Sequence, residues 1–184
     1  MRTRYDTVSA SLHWLIAGGI IFMLWYGHYV SDLPKGSFAR LEGFQLHYSI
    51  GLTILVLSLV RLIWRVLHPA PKLPATMKAW EKALAKAVHI MFYALMIMIP
   101  LAGWAAATTS PLDVPIYFFD LFQWPWFPGI KNAESREIIH EVFGEMHETM
   151  GRAMLGLLAL HVLAVLKHTF IDRDRLFKRM WFGK

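Results

Sequence analysis

Cysteine is absent from the 184 residues. That excludes disulfide staples, iron–sulfur ligation and any covalent CxxCH attachment. Charge is scarce as well: 17% of residues are Asp, Glu, Lys or Arg, with 13 acidic against 19 basic, while 56% are hydrophobic. Mean hydropathy is positive. So little charge cannot clothe a water-soluble surface of this size, and the composition reads as one membrane domain. The net charge of +6 does not read as a nucleic-acid surface, because the basic residues flank apolar runs instead of forming a soluble module. A cleavable signal peptide is not expected, since the first apolar run is too long and further spans follow.

What the chain does contain is four apolar runs, at about 8–30, 46–67, 89–107 and 145–168. Each is long enough to cross a hydrocarbon core of about 30 Å at about 1.5 Å per residue. Between them lie a short loop at 31–45 with a Pro34–Gly36 turn, a Pro-rich break after Arg65, and a basic amphipathic lead-in at 77–86. A long loop at 108–138 carries WPWFPG at 124–129. Fourteen Lys and Arg fall in the N-terminus, the second loop with its flanks, and the C-terminal tail; the first and third loops hold four, and Arg152 sits inside the last run. That asymmetry predicts both termini on the cytoplasmic side of the membrane. The expected fold class is all-α, an integral membrane four-helix bundle.

The histidines organise the bundle. His147 and His161 are fourteen positions apart on the last run, which returns them to nearly one helical face about 21 Å apart along the axis. Two imidazoles on one face at two depths predict two stacked b-type haems, held by side chains alone. Their partners follow from depth: His47 opens an inward run and matches His147, and His13 opens an outward run and matches His161. Bis-histidine ligation of this kind closes both axial positions and suits electron transfer. Small residues one turn from a ligand make room for a porphyrin. Gly51, Gly151 and Ala17 follow His47, His147 and His13 by four, whereas Val165 follows His161; the same small residues also ease ordinary helix packing.

Other polar residues compete for roles. His28 and His89 stand at span ends as substitutes for His47 and His13, but read more simply as interfacial. His140 is expected in a surface segment and His68 in a loop. His168 is read either as a proton donor at the inner helix end or as a solvated neighbour of Lys167. Arg61 and Arg152 are candidates to pair with haem propionates. Arg61 alternatively snorkels to the surface, and Arg152 alternatively pairs with Glu145, Glu148 or a lipid phosphate. Trp14, beside His13, is a candidate to line a quinone slot.

The motifs LHW at 12–14, HYSIG at 47–51, VRLIWR at 60–65, IPLAGW at 99–104, His147-Glu148 and LHVLAVLKH at 160–168 together resemble the bacterial cytochrome b561 family. The wider group includes the cytochrome b subunits of nickel–iron hydrogenases. The resemblance spans nearly the whole chain. It implies a four-helix, two-haem fold with His13, His47, His147 and His161 as ligands, and electron exchange between an outer-face donor and membrane quinone. One member type is a stand-alone superoxide oxidase that reduces ubiquinone. Arg152 and the elaborated loop depart from the pattern.

The expected function is therefore electron transfer across the membrane between an outer donor, a small molecule or a protein, and ubiquinone within the lipid. The alternatives are an electron-transfer anchor that docks a dehydrogenase or hydrogenase through the long loop, and a bundle without haem.

Overall fold

The computed structural model describes residues 4–74, 76–174 and 176–181. Four long helices carry the fold: α1 (Thr7–Asp32), α2 (Phe38–Leu67), α3 (Ala79–Thr108) and α4 (Arg136–Leu166). α4 runs on into a π-helical turn, Lys167–Ile171, and a short α5 covers Leu176–Met180. Two two-residue strands, β1 (Tyr117–Phe118) and β2 (Phe122–Gln123), form an antiparallel hairpin between α3 and α4. Each of the four long helices, with α4 counted through Ile171, is long and apolar enough to cross a membrane.

Local chemistry sets the helix starts. Asp6 caps α1 by accepting the Ser9 N–H at 2.9 Å, and Ser37 caps α2 by accepting the Arg40 N–H at 3.2 Å. At the start of α3, Glu81 reaches back to the Lys78 N–H at 2.9 Å. All four helices run past the apolar spans read from the sequence. The first loop shrinks to 33–37, where Gly36 takes the left-handed φ of 79° that turns the chain into α2. The segment 79–86 is already helical, and His140 lies in the first turns of α4 instead of a surface segment. These polar turns project the helices beyond the hydrocarbon, where hydropathy carries no signal for them.

α1 packs on α2, α2 on α3 and α3 on α4; among the described residues, no comparable backbone packing joins α4 to α1 or α2. The bundle is closed at mid-depth by one apolar layer, with Ile16, Ile54, Met96 and Met154 each supplied by a different helix. Large side chains such as Leu15, Ile21, Trp25, Ile63, Val66, Leu155 and Leu163 point away from it and are exposed, as lipid-facing residues are.

At the end opposite the chain termini, residues 109–135 fold into an ordered cap over α2 and α3. Gln45 binds it twice, donating to Pro115 O at 2.8 Å and accepting the Tyr117 N–H at 2.9 Å. Buried Ser49 accepts the Phe119 N–H at 2.9 Å, Trp104 donates to Pro125 O at 2.9 Å, and Thr108 accepts the Phe127 N–H at 2.9 Å. Beneath the hairpin, Ile116 is buried with Leu52 and Ala107. Asp113 ties the cap to α4 by pairing with both Lys131 and Arg136.

The hydrogen bond from Lys131, followed by the charges of Lys131 and Arg136, holds the Asp113 carboxyl below its ordinary range. A lowered folded-state value means that this contribution is fully present above about pH 4 and is lost as the pH falls through the lowered value. Tryptophan emission, which includes Trp104, Trp124 and Trp126 of the cap, should therefore show an acid transition below about pH 4. Asp113→Asn should weaken the cap at neutral pH and flatten that transition.

Candidate functional site

Four helices of equal pitch place residues fourteen apart at two depths, and all four use the same spacing. α4 offers His147 and His161, α2 offers His47 and Arg61, α1 offers His13 and Gly27, and α3 offers His89 and Gly103. Met154 and Ile54 fall halfway on α4 and α2, and Met96 halfway on α3, which is the closed apolar layer. One imidazole layer thus lies on the cap side of the apolar layer and one on the termini side.

In the layer near the cap, the rings of His47 and His147 face each other at 5.9 Å between centroids and 67° between planes. The two backbones around them are glycine at the points of contact. A Cβ on Gly27 would stand 3.0 Å from His47 Cε1, and one on Gly103 would stand 2.9 Å from His147 Nδ1. Nδ1 of His147 lies 2.8 Å from Ile99 O. Donation from Nδ1–H to that carbonyl fixes the tautomer and leaves Nε2 free to ligate. Pro100, which cannot donate to a preceding carbonyl, follows directly inside α3. The IPLAGW segment thus orients one histidine through Ile99, admits it through Gly103 and holds the cap through Trp104. His47 Nδ1 is buried without a hydrogen-bond partner among the described residues.

In the layer near the termini, His13 and His161 face each other at 6.4 Å and 70°. His89 approaches the same His161 at 5.9 Å, with its Nδ1 at 2.6 Å from Ala85 O. Arg61 lies over the Tyr93 ring at 5.9 Å and is near enough to His13, His89 and His161 to act on them electrostatically.

These features fit an axially bound metal cofactor. Two metal–imidazole bonds of about 2 Å, with the ring radii added, separate ligand centroids by about 6 Å. Both pairs bridge the side of α4 that lacks backbone packing to α1 and α2. A Cβ on Gly151 would meet nothing within 4 Å, and one on Gly51 only Met23 Cε at 3.7 Å, so the turns beside His147 and His47 are free of protein.

The remaining candidates are placed as follows. Arg152 is on the outward face, with a side chain 65% exposed that is met by Glu148 and by Thr149 at 3.1 Å. His28 is exposed near Asp32, and His68 stacks on Trp64 at 3.9 Å. His140 Nδ1 lies 2.8 Å from Ala106 O and fastens α4 to α3. Trp14 donates to Met180 O at 2.9 Å and packs edge-on against Phe177 and Trp181, with its ring 5.1 Å from that of His13. His168 is buried in the π turn, 2.8 Å from both Asp172 and Asp174. Gly27, Gly103 and the Ile99 carbonyl escape a search for ligating side chains, although the fourteen-residue spacing of both glycines from His13 and His89 was visible.

A multi-pass membrane bundle with imidazoles paired across interhelical gaps, in a chain without cysteine, belongs to the class of protein that holds b-type haem. The family model for prokaryotic cytochrome b561 matches residues 4–183, and the chain belongs to that family of membrane electron-transfer cytochromes with b-type haem. Cytochrome b561 homolog 2 of Escherichia coli is 28% identical over 182 residues, covering 96% of this chain and 90% of its own length. Cytochrome b561 homolog 1 of Escherichia coli is 27% identical, with 96% of each chain covered. The probable superoxide oxidase CybB of Yersinia pestis is 24% identical, with 98% of this chain and 97% of its own covered.

Gly103→Ala should push the His147 ring off Ile99 O, at an overpacking cost of about 1–3 kcal/mol. Haem retained per chain after gel filtration should fall in this variant. It should stay at the parent value in Gly18→Ala, where an added Cβ meets nothing within 4 Å.

Proposed function

We propose that the chain holds two b-type haems, one between His47 and His147 and one between His13 and His161, and carries electrons through the bundle to quinone. The observation that carries this reading is the pair of facing imidazole couples, at 5.9 and 6.4 Å, on the side where α4 stands free of α1 and α2. His13 is preferred to His89 as the partner of His161 because α3 and α4 are packed together and leave no slot for a macrocycle. Arg61, among the histidines of the termini layer, is the propionate partner assigned here, while the outward Arg152 is already met by Glu148. Gly51 and Gly151 leave the space beside their histidines open. Bound haem iron accepts and releases one electron at a time. With His13, His47, His147 and His161 as the residues that would hold the haems, the iron would be left no position for substrate, and the groups would supply one-electron transfer between donor and acceptor.

The excess of Lys and Arg at the termini end supports both termini in the cytoplasm and the cap at the outer face of a bacterial inner membrane. Quinone takes up two protons on reduction. His168, bracketed by Asp172 and Asp174, is the proton donor assigned here, and the packed rings of Trp14, Phe177 and Trp181 are the apolar surface assigned to the quinone ring.

The donor has two readings. The name of the Yersinia pestis relative favours superoxide, with ubiquinone as acceptor. The local charges do not assist a small anion: Lys131 and Arg136 are paired with Asp113 and Arg152 with Glu148, while Glu134, Glu137, Glu141 and Glu145 are exposed. The exposed Leu121 and Phe122 of the hairpin favour a protein donor docked on the cap, which makes the chain a membrane anchor. Stopped-flow mixing of oxidised protein with superoxide separates the two, since haem reduction without any partner requires the first.

Pyridine haemochrome counting should give two haems in the parent and in His89→Ala. It should give one in each single His→Ala variant at 13, 47, 147 and 161. A shared loss in the His13 and His47 variants would break the pairing. His168→Ala should keep both haems and their reduction by a donor, yet slow reoxidation by quinone by about 100-fold, most at high pH where water supplies fewer protons. Parent-like reoxidation across the pH range removes His168 from this role.

A further inference from the structure

A second group of ligating side chains lies at the far end of α4, apart from both histidine layers. The regular helix ends at Leu166, and the wider π turn over Lys167–Ile171 carries His168 into the interior, leaving it 8% exposed. Its Nδ1 is buried and lies 2.8 Å from Asp172 Oδ2 and 2.8 Å from Asp174 Oδ2. Neither contact has hydrogen-bond geometry, so the nitrogen and the two carboxylate oxygens converge on one point without a hydrogen bond between them. Arg173, between the two acids, has a φ of 55°, and the chain reverses there so that both carboxylates face back to the imidazole. Asp174 is held in place because its Oδ1 accepts the Leu176 N–H at 3.1 Å, while its side chain is only 7% exposed. The three ligand atoms lie within 4.8 Å of one another.

We propose that His168, Asp172 and Asp174 form a binding site for a divalent transition-metal ion of the zinc type. One imidazole nitrogen and two carboxylate oxygens make a borderline donor set, which favours such an ion over Mg²⁺ or Ca²⁺ with their all-oxygen preference. The charges agree. Asp172, Asp174 and Glu81 face one ammonium, Lys167, which is 2.7 Å from Asp172 and 2.5 Å from Glu81. The three carboxylates outnumber the one ammonium by two, a surplus that a divalent ion cancels. Lys167 is the built-in competitor: it gives up Asp172 to the metal and keeps Glu81. Binding removes any proton on His168 Nδ1, so affinity falls as the pH falls. Metal occupancy excludes the proton-donor role proposed for His168, but the site itself stands independently of that role.

The test uses the full-length, haem-loaded protein, oxidised, stripped with chelator and without donor or quinone, so that its result is separate from the electron route. Equilibrium dialysis against Zn²⁺ should show one ion per chain that His168→Ala abolishes and Asp174→Asn weakens at least about tenfold. Lys167→Gln should bind more tightly than the parent. Zinc-edge absorption should report one imidazole among oxygen ligands, and millimolar Mg²⁺ should not displace the ion. If Asp174→Asn does not fold, because it also caps α5, the more exposed Asp172→Asn takes its place. Absence of binding, zinc retained unchanged in the His168 and Asp variants, or displacement by equimolar Mg²⁺ would each overturn the proposal.

Discussion

The attachment of α4 to one neighbour controls the rest of the molecule. α4 is fastened along α3 at three levels. His140 meets Ala106 O, His147 meets Ile99 O over Gly103, and at the opposite end Lys167 meets Glu81. The first and last of these points lie 27 positions apart along α4 and its π turn, about 40 Å of helix. A helix held so firmly on one side needs no packing on the other, and that free side is where His147 and His161 look toward α2 and α1. Two of the fastenings are made by histidines through Nδ1. His147 keeps Nε2 for the ligand role proposed above and His140 stands seven positions before it, so one residue type serves both packing and ligation.

The apolar layer of Ile16, Ile54, Met96 and Met154 gives the two histidine layers separate environments. Its four side chains are apolar and buried, so they offer no hydrogen-bonding group at this depth. Methionine suits the position because its flexible thioether fills a gap among four differently spaced helices. The layer brings together one buried residue from each of the four long helices.

The two ends are built differently. At the cap end, a long loop is kept rigid by side chains of the helices beneath it: Gln45 and Ser49 satisfy hairpin backbone groups that would otherwise be lost near the hydrocarbon. Its cations are neutralised by carboxylates, which leaves the exposed charge there acidic. At the termini end, aromatic and basic residues gather around Trp14. The Tyr5 N–H bonds Arg179 O, and Arg179 bonds Lys72 O, so both chain ends and the second loop are tied together where a bilayer surface would lie.

By itself the sequence determined the helix number, the fold class, and which imidazoles share a depth. Apolar runs of membrane length and a fourteen-residue spacing on a helix of fixed pitch leave few other solutions. Helix ends were less legible, because the polar turns at 38–45, 79–88 and 136–144 continue a helix outside hydrocarbon, where hydropathy is silent. The tertiary structure decided which helices touch and which stand apart, and it sets both His13 and His89 beside His161. It also turned Arg152 outward onto Glu148, drew His168 inward against two aspartates, and set Gly27 and Gly103 against imidazole rings. Each of these depends on the rotation of one helix against another. That rotation is set by packing and by hydrogen bonds to distant carbonyls, such as Ile99 O, which no local pattern of residues records.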